Sequence, residues 1–115
     1  MIAVYADRRG EKYRLLVEGH AGGEEQGSLV CAAVSALTGA LVAYAKNNPV
    51  CHHVRAFTDK GKVFLSCRLG LENAFEMTVG ALAELAAVYP QHMVFHGESV
   101  SEGAFADSPI YENAR

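Results

Sequence analysis

The stretch "LVCAAVSALTGALVAYAK", residues 29–46, decides the fold. It is rich in alanine and leucine, and the "NNP" that follows it, residues 47–49, is a signal that ends a helix. The predicted helix is apolar almost all round, and a helix with so little polar surface must be covered on more than one side. We therefore expect a sheet against one side, and another element or a second subunit against another.

Two β-hairpins are predicted, one before and one after this helix. Residues 2–6 and 13–18 are short apolar or alternating runs joined by the polar connection "DRRGEK". Residues 51–58 and 63–69 form the second pair, joined by "DKGK", and the last run alternates between two faces. Alternation with period two is typical of strands, and a short polar connection containing glycine is typical of a hairpin.

The remainder of the chain predicts a second helix and a closing strand. Apolar residues recur at helical spacing over residues 71–89, and Pro90 ends the pattern. Residues 93–95, "MVF", form the last strand, so residues 1–97 are predicted to be one small domain. Residues 98–115 are polar and without periodicity, which predicts a loosely ordered tail. The predicted order is β-β-α-β-β-α-β, an α+β fold in which two helices pack on a mixed or antiparallel sheet.

Composition limits the classes of protein to which the chain can belong. The 115 residues are 50% apolar and 20% charged, which fits a single compact domain. The net charge is −3 and the Lys and Arg residues are scattered, so the sequence carries no footprint for direct binding of nucleic acid. No leader opens the chain and no apolar run is predicted to span a bilayer, so we expect a soluble cytoplasmic protein without a membrane partner. Three cysteines are a sparse, odd set that predicts free thiols in a reducing compartment.

Cys31 stands near the predicted start of the first helix, behind the glycine-rich segment "GHAGGEEQGS", residues 19–28. Ser28 is a favourable N-cap, which would put Cys31 in the first helical turn. There, unpaired backbone N–H groups and the positive end of the helix dipole favour a thiolate, the nucleophilic form of cysteine. The loop is long enough to bring His20 beside Cys31, where an imidazole would act as general base and acid.

Glycines in this loop suggest a second ingredient of catalysis. Gly19 and Gly22, with two further glycines, can adopt positive φ angles and bring bare N–H groups close to a substrate carbonyl. With the amide of Cys31 or Ala32 as another donor, they would form an oxyanion hole. A competing interpretation stays open from the residues alone, because a cysteine in an alanine-rich helix is usually a small buried hydrophobe. By the same reasoning, a histidine that follows a strand usually lies at the surface.

One family carries these motifs. The segments "GHA", residues 19–21, and "VCAAVSA", residues 30–36, resemble the motifs of the ribosomal-processing cysteine protease family known as Prp. The resemblance covers roughly residues 1–96. It implies a homodimeric, cytoplasmic cysteine protease that removes the N-terminal extension of a large-subunit bacterial ribosomal protein, the one numbered twenty-seven.

The resemblance also implies roles for individual residues. Carried over by motif, Cys31 is the nucleophile, His20 is the base, and Ser35 matches the family's serine one helical turn beyond Cys31. Ser35 would either orient the site or bond to the carbonyl of Cys31, the commoner role of a helical serine. Two features depart from the family pattern. The segment between His20 and Cys31 is one residue shorter, and Ser28 stands where the family carries an acidic residue, for which a loop glutamate could substitute.

Two groups of histidines invite a metal interpretation. In "CHH", residues 51–53, strand alternation would put the first and third side chains on one face and the second on the other, with no further pair at a zinc-site spacing. His92 and His96 flank the last strand and would share one face. Neither group predicts a metal site, and Cys67 is interpreted as a packing residue of its strand.

The sequence therefore supports two functions of different classes. The first is a cysteine endopeptidase that needs no cofactor, in agreement with the lack of a phosphate-binding or dinucleotide-binding motif in the sequence. The alternative is a non-catalytic ribosome-assembly or interaction module on the same scaffold. A redox-sensing thiol is a third option, but it lacks a resolving cysteine nearby in the sequence.

Overall fold

The computed structural model describes residues 1–97, and the tail predicted for residues 98–115 lies outside the described residues. The elements are β1 (Ile2–Arg9), β2 (Lys12–Gly19), α1 (Glu25–Asn47), β3 (His52–Asp59), β4 (Lys62–Arg68), α2 (Glu72–Val88) and β5 (Met93–Gly97). The predicted α+β fold and its β-β-α-β-β-α-β order are confirmed.

The five strands form one mixed sheet in the order β3-β4-β2-β1-β5. The two hairpins join through antiparallel pairing of β2 with β4, whereas β5 pairs with β1 in parallel. Ile2 is aligned with both Gly19 and Met93, and Glu18 is aligned with Lys62. The starts of β1 and β5, the end of β2 and the β3–β4 turn therefore meet at one end of the sheet.

The core lies between one face of the sheet and the two helices. Because side chains alternate along a strand, Val4, Leu15 and Leu65 all point to this face. The buried helical residues that meet them include Val30, Val34, Leu41, Phe75 and Leu82. As predicted, α1 packs against the sheet and against a second element, which is α2. Leu29 and Tyr44 of α1 remain exposed.

The first hairpin is longer than the sequence indicated. Both strands extend through the segment predicted to be a connection and leave a short turn at Gly10, where φ is +58°. Asp7 and Arg14 are aligned across the two strands and form a buried ion pair. Asp7, one of the charges that suggested a loop, is thus paired with Arg14 inside the ladder, where each needs the other to offset its desolvation.

The start of α1 differs from the prediction. The helix begins at Glu25, so Ser28 is a helical residue whose N–H donates to the carbonyl of Glu24 at 2.9 Å. The predicted N-cap at Ser28 is therefore wrong, and the position that caps the helix is Glu24, without a side-chain cap bond. Gly27 suggested a loop because glycine is a poor helix former, but here it lies inside the first turn.

α1 also corrects the expectation that no apolar run could span a bilayer. The helix is 23 residues long and has a mean hydropathy of 1.8, so by length and composition alone it could cross a membrane. The helix nevertheless contributes seven buried residues, and its apolar members of that set pack in the core with both hairpins and α2. About 33% of this apolar window is buried in the fold, and the rest of the helix surface is not covered by the described residues.

Candidate active site

A cavity of about 210 Å³ opens at the end of the sheet where four segments meet. It lies between α1 and the β3–β4 turn, with the buried apolar side chains of Ile2, Val17 and Val34 in its wall. The predicted site residues that line it are Gly19, His20, Cys31 and Ser35. The structure therefore brings the proposed nucleophile and base to the same cavity.

Cys31 lies in the second turn of α1, not in the first as predicted. Because helix N-termini leave only the first N–H groups unpaired, the dipole argument no longer singles out this thiol. A different donor is present, because the N–H of Ala21 points at Cys31 Sγ at 3.3 Å. The structure thus places a backbone N–H, rather than the helix start, against the sulfur of Cys31.

His20 is exposed and is held through its backbone on both sides. Gly19 has a φ of +105°, and its N–H donates to the carbonyl of Gly61 at 2.9 Å. The nitrogen of Met1 donates to the carbonyl of His20. The imidazole lies on the β3–β4 turn, so close that a Cβ at Gly61 would be 2.6 Å from His20 Nε2. The turn thus supports the ring that faces the cavity.

The loop between β2 and α1 packs closely on the first turn of the helix. A Cβ at Gly27 would be 2.7 Å from the carbonyl oxygen of Ala21, so only glycine leaves room for the loop backbone there. Gly22 has a φ of +106°, the left-handed region that glycine adopts without strain. Of the four glycines expected to take positive φ angles, only Gly19 and Gly22 do so, since Gly23 and Gly27 have no positive φ.

The remaining predicted residues take different places. Ser28 and Ala32 are exposed on α1 and do not line the cavity. Because Cys31 and Ala32 lie within the helix, their N–H groups belong to its hydrogen-bond ladder and are not free oxyanion donors. Ser35 lines the cavity one turn after Cys31. The hydroxyl of Thr38 donates to the carbonyl of Val34, four residues back, at 2.9 Å. This is the kind of bond that is one of the two roles expected for Ser35.

His92 is a residue whose importance the sequence did not reveal. It precedes β5 and is buried, with Nδ1 at 2.8 Å from the carbonyl oxygen of Ala21. Its Nε2 lies 2.9 Å from Gln26 Oε1 and 3.2 Å from Glu24 Oε1. The expected shared face with His96 is wrong, because His96 is exposed and stacks on Tyr5 with ring centroids 4.5 Å apart. Of the two loop glutamates that could substitute for the family's acidic residue, Glu24 and Glu25, Glu24 thus contacts His92.

The "CHH" segment also departs from simple strand alternation. β3 begins at His52, its register shifts before Arg55, and His53 has a φ of 53°. Among residues 1–97, no group of three or more His, Cys, Asp or Glu side chains is arranged to hold a metal ion. Cys67 is buried as expected, and burial, followed by the neighbouring Cys51, raises the pKa of its thiol to about 12. That thiol is therefore unreactive at neutral pH.

Residues 1–94 match the family model described as cysteine protease Prp. The chain belongs to the Prp family of cysteine proteases. The membership that the two motifs suggested is confirmed over most of the chain. A comparison with curated proteins found no match.

Solved structures with the same fold include Prp proteins bound to peptides. The crystal structure of SMU.848 from Streptococcus mutans is 26% identical, with a TM-score of 0.65, covering 83% of this chain and 91% of that one. An essential ribosomal processing protease Prp from S. aureus, in complex with a substrate peptide, is 20% identical, with a TM-score of 0.64 and coverage of 84% and 98%. The same S. aureus protease with a covalently linked product peptide is 18% identical, with a TM-score of 0.65 and coverage of 83% and 97%. The Prp fold thus extends over nearly the whole length of these chains.

Proposed function

We propose that the protein is a cysteine endopeptidase in which Cys31 is the nucleophile and His20 is the general base and acid. The observation that carries the proposal is that both side chains line one cavity while the N–H of Ala21 donates to Cys31 Sγ. A thiolate attacks a peptide carbonyl, and an imidazole close to neutrality carries the protons that this reaction moves. Membership of the Prp family supports the same assignment.

The reaction proceeds in two halves. The Cys31 thiolate attacks the scissile carbonyl carbon, and the C–N bond then breaks as protonated His20 donates a proton to the leaving amine. Neutral His20 next takes a proton from a water molecule, whose oxygen attacks the thioester and releases Cys31. The negative charge on the carbonyl oxygen needs N–H donors in both halves, and the Ala21 N–H beside Sγ is the candidate.

The proposed substrate is the N-terminal extension of the large-subunit ribosomal protein numbered twenty-seven. The support comes from the S. aureus relative, which is described as a ribosomal processing protease in complex with a substrate peptide. The cavity is bounded by α1 on one side and the β3–β4 turn on the other, and its lining includes the carboxylate of Asp59, the last residue of β3, together with Lys62. Asp59 offers a contact to a basic peptide. Such a protease acts in the cytoplasm, where ribosomal proteins are made.

The test uses a peptide that spans the junction between the extension and the mature ribosomal protein. Wild-type protein should cut it once, and Cys31→Ala should abolish cleavage without loss of the folded state. His20→Ala should lower kcat by about 100-fold or more, because general acid–base help is lost. Mass spectrometry of the products and circular dichroism of the variants are the measurements. Cleavage by Cys31→Ala at the wild-type rate would contradict the nucleophile.

A non-catalytic assembly module is the second candidate, favoured by the position of Cys31 away from the helix start and by the uncharged Ser28. Alkylation of the cysteines with iodoacetamide distinguishes the protease from the non-catalytic module. An activated Cys31 should react well below pH 8 and far faster than Cys51, whereas similar slow rates for both thiols would favour the module.

We also propose that the protein is a homodimer. Large apolar side chains of both helices are exposed, namely Leu29, Tyr44, Met77 and Val88. A second subunit would cover such residues, as the apolar character of α1 led us to expect. Sedimentation velocity gives the mass in solution, and a monomer at micromolar concentration would contradict this part of the proposal.

A further inference from the structure

His92 is a buried imidazole that lies outside the catalytic cavity but touches the loop that lines it. Only 5% of its side chain is exposed, and it does not line the cavity that holds Cys31. Both ring nitrogens face oxygen atoms of the segment between β2 and α1. A buried polar side chain is expected to make such bonds, but these all converge on one short segment.

Ala21 connects this imidazole to the nucleophile. Its carbonyl oxygen is 2.8 Å from His92 Nδ1, and its N–H donates to Cys31 Sγ at 3.3 Å. A carbonyl oxygen can only accept, so Nδ1 is the donor in this pair. The Ala21 N–H lies in the peptide plane of the His20 carbonyl, which accepts from the Met1 nitrogen, whereas the His92 bond holds the next peptide plane. Together these bonds restrict the backbone angles of Ala21 and hence the direction of its N–H.

Packing already places part of this segment, because Ala21 is buried in the core and its carbonyl lies against Gly27. Gly22 and Gly23 follow Ala21, and a Cβ at either would meet nothing within 4 Å. The helix that comes next has no side-chain bond at its N-cap Glu24. His92 Nε2 faces Glu24 and Gln26, so the same ring also contacts the start of α1. Glycine-rich segments without such contacts sample many backbone states.

We propose that His92 is a positioning residue for Cys31, acting through Ala21. By donating to the Ala21 carbonyl, it keeps the Ala21 N–H directed at the sulfur, and in the reaction at the developing oxyanion. The catalytic part of this inference rests on the proposed function of Cys31. Because His92 does not touch the cavity, its loss should slow the chemical step more than it weakens substrate binding.

The reactivity of Cys31 with iodoacetamide tests the inference without any peptidase assay. His92→Ala should lower the Cys31 rate about tenfold, the effect of one hydrogen bond of ordinary strength, and should leave the Cys51 rate unchanged. His96→Ala is the matched control, because it removes an exposed imidazole from the same strand region. Its Cys31 rate should equal that of the wild type.

Two amide variants distinguish a positioning role of His92 from a contribution to the stability of the fold alone. In His92→Asn the side-chain NH₂ occupies the place of Nδ1 and keeps the donor to Ala21, whereas in His92→Gln it occupies the place of Nε2. The Cys31 rate should return to within about twofold of the wild type in His92→Asn and remain about tenfold low in His92→Gln. This pair decides the question even if His92→Ala does not fold.

Peptide cleavage gives the second readout. In His92→Ala, kcat should fall about tenfold while KM changes less than about twofold. A wild-type Cys31 alkylation rate in folded His92→Ala, or equal rates in the Asn and Gln variants, would overturn the inference. Failure of the proposed function has a different signature, namely cleavage that persists in Cys31→Ala.

Discussion

At the scale of single residues, the placement of His20 depends on a glycine in the β3–β4 turn against which its imidazole lies. Gly61 has a φ of +77°, and a Cβ there would be 2.6 Å from His20 Nε2 and 3.1 Å from His20 Cε1. Both ring atoms are too close for a methyl group to be accommodated without moving the imidazole. The β3–β4 turn therefore does more than close a hairpin, because it limits where the His20 imidazole can lie.

We predict that Gly61→Ala lowers kcat for peptide cleavage at least about tenfold, since a displaced imidazole no longer transfers protons efficiently. The left-handed backbone adds a stability cost of about 1 kcal/mol. Gly10→Ala is the matched control, with a φ of +58° in the other hairpin turn and nothing within 4 Å of the new Cβ. It should show a similar loss of stability by urea denaturation and no loss of kcat. Equal kcat values in the two variants would contradict the role of Gly61.

Site residues could be predicted from the sequence where they belong to one local motif. They could not be predicted where they make contact across distant positions of the chain. Cys31 and His20 lie within one short segment, and both line the cavity as the motifs implied. His92 contacts Ala21 across 71 positions of the chain, and nothing near His92 in the sequence indicates that contact. The same limit explains why Ser28 was taken for a cap, because the start of α1 depends on a loop packed against it.

At the scale of elements, helices and strands were predicted by type but their ends were not. Periodicity belongs to the interior of an element, whereas an end is fixed by neighbours in space. β1 extends beyond its predicted end, and its first added residue, Asp7, pairs with Arg14 of β2. α1 begins early because its first turn supports the loop through the bare backbone of Gly27.

Gly27→Ala tests this account of the α1 start. Alanine favours a helix, but its Cβ would be 2.7 Å from the Ala21 oxygen and would push the loop away from Cys31. We predict slower peptide cleavage and slower alkylation of Cys31, each by about tenfold if one hydrogen bond to sulfur is lost.

The control for this variant is Gly80→Ala in α2. A Cβ at Gly80 meets nothing within 4 Å, so the substitution should stabilise the fold by up to about 1 kcal/mol and leave Cys31 unchanged. Thermal melts and alkylation rates are the measurements. Unchanged Cys31 reactivity in both variants would show that the loop does not depend on close packing at Gly27.

At the scale of the whole molecule, the sequence predicted which faces are buried but left the sheet's strand order open. Alternation identifies the core side of a strand and says nothing about which strand lies beside it. A mixed or antiparallel sheet was therefore the limit of the prediction. The parallel pairing of β5 with β1 makes the sheet mixed, and it brings His92 to the end of the sheet where the cavity opens.

Burial in this sheet also sets a pH limit on stability through Cys67. Its pKa is raised from 9.0 to about 12, so in the folded state the thiol stays neutral while in the unfolded chain it ionises. The contribution of Cys67 is fully present below pH 9 and is lost as pH rises toward 12. We predict that the free energy of unfolding falls more steeply above pH 9 in the wild type than in Cys67→Val, by at most about 1.4 kcal/mol per pH unit. Urea denaturation between pH 8 and 11 measures both slopes, and parallel curves would contradict the prediction.

The position of His92 at the start of β5 has a consequence for newly made chains. Synthesis proceeds from the N-terminus, so Cys31 and His20 leave the ribosome well before His92, which lies just before β5 and bonds to Ala21. A nascent chain that ends in α2 would hold the reactive thiol without the group that directs an N–H toward it. On the proposed role of His92, full reactivity of Cys31 is therefore expected only once β5 has docked.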